Sequence, residues 1–197
     1  MDKALISDIK KYVNYLLIPL ENMYYHQYDH ALSVMERWIY LATMEWCSQD
    51  EIEMITIAAL FHDTWFVIEY DNNETFWAKI ARNYLRTILY PEEKIKIIQE
   101  IILATQPSIK PKTILEEIIK DADMDNLWRE DFFDINEKIK KELELMKNIK
   151  IKDPDWHHAS LDIIRWHVFY TDTQIKERNE KLLKNLEKLK SQTLTQS

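Results

Sequence analysis

Residues 51–63 read EIEMITIAALFHD, a mostly apolar run that ends abruptly in a histidine and an aspartate. Ser48 and Glu51 stand three apart ahead of it, the spacing of a capping box, so a helix is expected over 49–62. The run falls short of the roughly 20 apolar residues that cross a bilayer, which makes it a core helix. Closing such a helix with two ionisable groups would bury them unpaired, at a high cost in free energy. A bound metal ion removes that objection.

Outward from this helix the same period continues. Apolar residues recur at helical spacing, and no stretch sustains strict alternation. Thr113 and Glu116 form a second capping-box pair. Pro91 and Pro154 sit where a first helical turn would begin, a place that tolerates a missing N–H. The pattern predicts helices over 6–18, 29–46, 49–62, 74–89, 91–105, 113–128, 134–149, 154–169 and 172–190. Short breaks fall at Pro19, at Asp71-Asn72-Asn73, from Gln106 to Pro111 and at Lys152-Asp153-Pro154, none long enough for an interdomain linker. The expected fold is all-α, one compact helical bundle over residues 1–197. In the last helix, leucines at 182, 183, 186 and 189 make a narrow apolar stripe suited to packing or to a homodimer.

Composition narrows the function. The 197 residues are 46% hydrophobic, enough for one sizeable core, and carry 34 acids against 26 bases, a net charge of -8. That balance argues against a nucleic acid polymer or an anionic membrane as partner, though a local dication and a few bases can still admit a small phosphorylated substrate. The single cysteine, Cys47, and the N-terminal MDKALISDIKKYV, unlike a signal peptide, point to the cytoplasm. There is no glycine at all, where average usage of about 7% would supply roughly 14. Glycine-rich phosphate loops and dinucleotide turns are therefore excluded.

The residues that carry chemistry are His30 in YHQYDHA (25–31), His62-Asp63 at the end of the core helix, and Asp123 in LEEIIKDADM (115–124). Imidazole nitrogens and carboxylate oxygens suit one divalent ion such as Mn, Fe, Co, Ni, Zn or Mg, and the lack of thiolates argues against structural zinc. In these blocks, and in IRWHVFYT (164–171) followed by Arg178, the chain resembles the HD-domain superfamily, and more closely its small branch of predicted metal-dependent phosphohydrolases. The resemblance covers most of the chain with its blocks in order. It implies an HD-type helical bundle and metal ligation by His30, His62, Asp63 and Asp123. Two His and two Asp leave coordination positions open, as water activation and phosphoryl neutralisation require.

There are also departures. Thr64-Trp65 follows the doublet where the family commonly has a small residue and glycine, and Asn73-Glu74 stands where many relatives have His-Glu. The second departure favours one metal over two and counts against dinuclear oxygenase chemistry. Thr64-Trp65-Phe66-Val67 lacks the Glu-Asp pair that marks relatives splitting (p)ppGpp.

Each remaining candidate keeps two readings. Glu74 is either a general base on the attacking water or an acid at a helix N-terminus. His26 either meets the substrate phosphate or is a loop histidine. His167 and Arg178 supply positive charge to the phosphate or belong to a salt bridge or helix surface. Asp121 and Asp125 are solvated or support a ligand from behind. Of the tryptophans at 65, 77, 128 and 166, core packing is the first reading and base stacking the second. His157-His158 reads as surface. The sequence thus predicts hydrolysis of a phosphate ester of a small metabolite, a nucleotide first, by metal-activated water. The alternative is a non-catalytic HD-type ligand-binding or regulatory module.

Overall fold

The computed structural model describes residues 1–18, 23–63 and 74–195, with side chains as far as 191. Among these residues lie nine α-helices and no strand: α1 (Lys3–Leu17), α2 (Tyr28–Met44), α3 (Gln49–Phe61), α4 (Glu74–Thr87), α5 (Glu92–Leu103), α6 (Ile114–Asp123), α7 (Phe132–Lys147), α8 (Asp153–Trp166) and α9 (Asp172–Thr195). A helix apolar on all sides has to be central. Accordingly α3 is wrapped by α1, α2, α4, α5 and α6, with every residue from Met54 to Phe61 buried. A second, smaller core joins Trp128, Phe132, Leu161, Ile164 and Leu189 from the C-terminal half. Leu182 and Leu186 of α9 pack against it, while Leu183 faces outward, so most of the leucine stripe is used within the chain. No described helix is long and apolar enough to cross a membrane.

Local sequence explains most helix ends. Ser48 and Glu51 form the expected capping box. Thr113 caps α6 through the Glu116 N–H at 3.3 Å, but the Glu116 carboxylate reaches past it to the Lys112 N–H at 2.7 Å. α1 starts earlier than the apolar spacing predicts, because the Asp2 side chain accepts from the N–H groups of Ala4 and Leu5. Pro91 is the residue before α5 rather than its first. The helix expected over 113–128 stops at Asp123 and tightens into a 3-10 turn, Asp125–Trp128, a common way for an α-helix to finish. α8 ends at Trp166, with His167 extended (φ -68°, ψ 136°), three residues before the sequence expectation. The breaks expected at Pro19 and at Asp71-Asn72-Asn73 lie outside the described residues.

The lack of glycine shows at three reversals. Trp46 (φ 60°), Leu89 (φ 56°) and Asn148 (φ 49°) hold the left-handed conformation just after α2, α4 and α7. Each is followed by an N–H that bonds five residues back, Cys47 to Ala42, Tyr90 to Leu85 and Ile149 to Glu144, the closing bond of a Schellman motif. For a residue with a Cβ that conformation costs roughly 1–2 kcal/mol. The side chains of Trp46 and Leu89 are 93% and 90% exposed, so little packing is lost on removing them. Trp46→Gly and Leu89→Gly should each stabilise the protein by about 1 kcal/mol, read as a higher urea midpoint at unchanged slope.

Candidate metal centre

Three helix ends meet beside α3. His30 lies in the first turn of α2, His62 caps the C-terminus of α3 with Asp63 next to it, and Asp123 is the last residue of α6. Because α2 packs on both α3 and α6, the four side chains converge. Asp63 Oδ2 is 3.1 Å from His30 Nε2 and 3.0 Å from His62 Nε2, and Asp123 Oδ1 is 3.5 Å from His62 Nε2.

The hydrogen bonds around His62 define its tautomer. Nδ1 lies 2.7 Å from the Ala59 carbonyl, which can only accept, so Nδ1 carries a proton and Nε2 is the nitrogen that a bound ion would take in exchange for a proton. Among the described residues, neither His62 Nε2 nor Asp63 Oδ2 has a hydrogen-bond partner, although both are buried. They lie 3.0 Å apart. Buried polar atoms left this way are costly unless something else satisfies them. A divalent cation fits: His30, His62 and Asp123 each offer a ligand atom within one 4.8 Å span, and His26, His30 and Asp63 form an overlapping group.

Electrostatics points the same way. Burial pushes the His62 pKa down, but the Asp63 and Asp123 carboxylates prevail and hold it well above its ordinary value. Burial pushes Asp63 up, and the neighbouring imidazoles, His62 foremost, hold it well below. At His30 burial wins over the pull of Asp63, and the pKa falls. The cluster is one in which added positive charge is favoured at its centre.

The centre opens into a cleft of about 330 Å³ lined by His26, His30, Asp63, Glu74, Trp77 and Asp123 among others. Glu74, the first residue of α4, accepts from Gln106 Nε2 at 3.1 Å through Oε2. Buried Glu142 of α7 accepts from the backbone N–H groups of Tyr25 (2.9 Å) and His26 (3.0 Å) and also pairs with His26 Nδ1, so His26 is oriented rather than a free loop residue. Nothing in the local sequence distinguishes Glu142 from the solvated acids of α7.

His167 is packed between Trp128 and Phe169, at ring distances of 4.9 and 5.1 Å. It lines a second cleft, of about 250 Å³, together with Asp123 and Lys120. Burial, reinforced by the Lys120 charge, brings its pKa down to about 4. The folded value lies below the unfolded one of about 6.5, so neutral His167 contributes stability above that pH, and the contribution is lost as pH falls toward 4. The loss amounts to about 3 kcal/mol. A His167→Phe variant should accordingly show a smaller drop in stability between pH 7.5 and pH 4.5 than the parent, measured by urea unfolding at both.

Arg178 is not beside His167. Both arms of its fork lie on Asp125, at 2.9 and 3.0 Å, so the salt-bridge reading is the one present. Asp125 also faces Arg37 Nε at 3.2 Å and accepts from Gln174 Nε2 at 3.0 Å. Asp121 accepts from the N–H groups of Tyr170 and Thr171 and from the Thr171 hydroxyl. Its pKa is raised to about 6 by burial, against those hydrogen bonds. Neither carboxylate is solvated; both fasten the start of α9 to the end of α6. Trp77 and Trp128 are core, as read first, but Trp166 is 81% exposed. Trp65 lies outside the described residues, as do Thr64-Trp65-Phe66-Val67 and Asn73. Lys120, buried and donating to the Gln106 carbonyl at 2.8 Å, was not singled out by its sequence context.

A family model for the HD domain matches residues 28–125, a span that contains His30, His62, Asp63 and Asp123. Solved structures of Bacillus subtilis YpgQ are similar in fold. Its complex with ADP is 20% identical with a TM-score of 0.64, covering 95% of this chain and 94% of that one. Its selenomethionine form is 19% identical with a TM-score of 0.64, covering 95% and 93%. No curated protein matches the sequence.

Proposed function

The chain belongs to the HD-domain superfamily, and from that premise we propose that it is a metal-dependent phosphohydrolase acting on a small phosphate ester, a nucleotide in the first place. The observation that carries the reading is the pair of buried, unpartnered atoms, His62 Nε2 and Asp63 Oδ2, placed between His30 and Asp123 at the base of an open cleft. The residues suit a divalent ion, and the superfamily is generally one of metal-dependent phosphohydrolases. YpgQ, similar in fold, was crystallised with ADP, which supports a nucleotide here.

His30, His62, Asp63 and Asp123 hold the ion in this scheme, with the Ala59 carbonyl fixing the tautomer and orientation of His62. A divalent ion bound there supplies Lewis acidity toward a phosphoryl oxygen and lowers the pKa of water. Glu74, steadied at Oε2 by Gln106, accepts the proton of the attacking water. His26, held by Glu142, meets the phosphate. The water oxygen bonds to phosphorus, the ester P–O bond breaks, and the leaving oxygen takes a proton to give an alcohol and inorganic phosphate.

The test is metal analysis of the purified protein, followed by phosphate release from nucleotides and sugar phosphates with and without chelator. Release that chelator stops and added divalent ion restores is the expected result. Bound metal with no release from any ester would overturn catalysis and leave a ligand-binding module.

A further inference from the structure

Two clefts reach the metal centre, and their walls have four residues in common. The wide one, about 560 Å³, continues along α2 past Ser33 and Arg37, and the other, about 330 Å³, holds Asp63 and Glu74. Tyr25, His30, Asp123 and Asn126 line both. Two of these, His30 and Asp123, belong to the ligand set. Tyr25 and Asn126 are neutral, partly buried and so far without a role.

Both side chains carry hydrogen-bonding capacity that the fold leaves unused. Among the described residues their hydrogen bonds are made by the backbone: the Tyr25 N–H donates to Glu142 at 2.9 Å and its carbonyl accepts from the Gln27 N–H at 2.8 Å, while the Asn126 carbonyl accepts from the Arg129 N–H at 3.4 Å. One phenolic O–H and one amide with two N–H groups are therefore uncommitted. Each residue is nonetheless held in place. The Tyr25 ring lies 4.4 Å from the His30 ring and 4.9 Å from that of His26. Asn126 belongs to the 3-10 turn Asp125–Trp128, whose first residue is gripped by Arg178 and Gln174. Donors fixed in advance pay little reorganisation when a ligand arrives. An anion where the clefts meet faces Asp63, Asp123 and Glu74, and the arginines of the wide cleft are engaged, Arg129 with Asp131 and Arg37 with Glu177 and Gln174. A further cation there would be drawn onto the ligand carboxylates in competition with the metal. Neutral donors add affinity for an anion without bringing a competing charge.

Resting on the phosphohydrolase reading, we propose that Tyr25 and Asn126 are phosphoryl-binding residues, the Tyr25 hydroxyl and the Asn126 amide donating to phosphoryl oxygens that the metal does not take. These oxygens are present in the ester and in the phosphate released from it, so both are held by the same two groups. Inorganic phosphate is therefore a sufficient probe.

Calorimetric titration of the full chain, first with Mn2+ alone and then with inorganic phosphate on the Mn2+-loaded protein, tests this apart from turnover. Tyr25→Phe, which keeps the ring, and Asn126→Ala should each weaken phosphate about three- to tenfold, as loss of one neutral hydrogen bond does. Their Mn2+ affinities should stay within twofold of the parent. Tyr24→Phe, at a tyrosine that lines the wide cleft only, should match the parent in both titrations. A parent that binds no phosphate, or a phosphate affinity unchanged in either variant, overturns the assignment. So does an Mn2+ affinity that falls in step with phosphate, since the two groups would then be supporting His30 and Asp123 instead. If phosphate binds through both groups but no ester is hydrolysed, the assignment is supported and only the hydrolase reading fails. If esters are hydrolysed with the same KM by the parent, Tyr25→Phe and Asn126→Ala, the hydrolase reading holds and the assignment fails.

Discussion

An Asp63→Ala variant should lose metal binding and phosphate release together, activity falling by at least about three orders of magnitude, or about 4 kcal/mol of transition-state stabilisation. Asp63 Oδ2 lies within 3.1 Å of both His30 and His62, so this carboxylate supplies the central oxygen of the cluster. Removing it leaves His30, His62 and Asp123 facing a gap with a single negative charge. The check is metal content by elemental analysis alongside initial rates at saturating divalent ion. Full activity in a metal-replete Asp63→Ala protein would exclude this cluster as the reaction centre. The fold should survive the change, since the apolar residues of α3 are unaffected.

Asp125→Ala, two positions beyond the ligand Asp123, should do the reverse and cost the fold about 3 kcal/mol, because removing one partner of a buried ion pair strands the other charge. Asp125 is 10% exposed, and the Arg37 and Arg178 side chains that share it are 14% and 19% exposed. Both arginines belong to helices, α2 and α9, that meet only through a few contacts, so this carboxylate is a principal tie between them. Urea unfolding with chelator present separates the two aspartates: Asp123→Ala should stay within about 1 kcal/mol of the parent, since its side chain is partly exposed and faces His62 Nε2 at 3.5 Å rather than a buried arginine pair. An Asp125→Ala protein as stable as the parent would show that the Arg37 and Arg178 charges are satisfied by Glu177, Gln174 and water.

Of the quartet, His62 and Asp63 were legible because two ionisable residues close an apolar helix, where burial without a partner is implausible; His30 and Asp123 joined them through the resemblance to the HD-domain superfamily. Helix positions were legible for the same reason, through apolar period and caps. What stayed hidden depends on partners distant in the chain. Arg178 reads like every other base in a helix laced with Lys and Glu, and its partner Asp125 is 53 residues away. Glu142 sits in EKIKKELELMK, where nothing marks one acid as buried, yet it holds the segment that leads into His30 from 117 residues away. Lys120 is legible as the last-turn base of a helix, but whether its ammonium reaches solvent or turns under the α5–α6 connection depends on tertiary packing. Trp166 shows the converse: helical spacing suggested core, and as the last residue of α8 it is 81% exposed.

A polymer with a Cβ at every position wanders less when denatured. Each residue other than glycine narrows the unfolded ensemble by about 0.4–1 kcal/mol relative to glycine at sites without strain. With the usual complement of roughly 14 replaced, that restriction adds up to several kcal/mol on the side of the native state. It exceeds the strain held at Trp46, Leu89 and Asn148, so three awkward reversals still leave a net gain in cohesion.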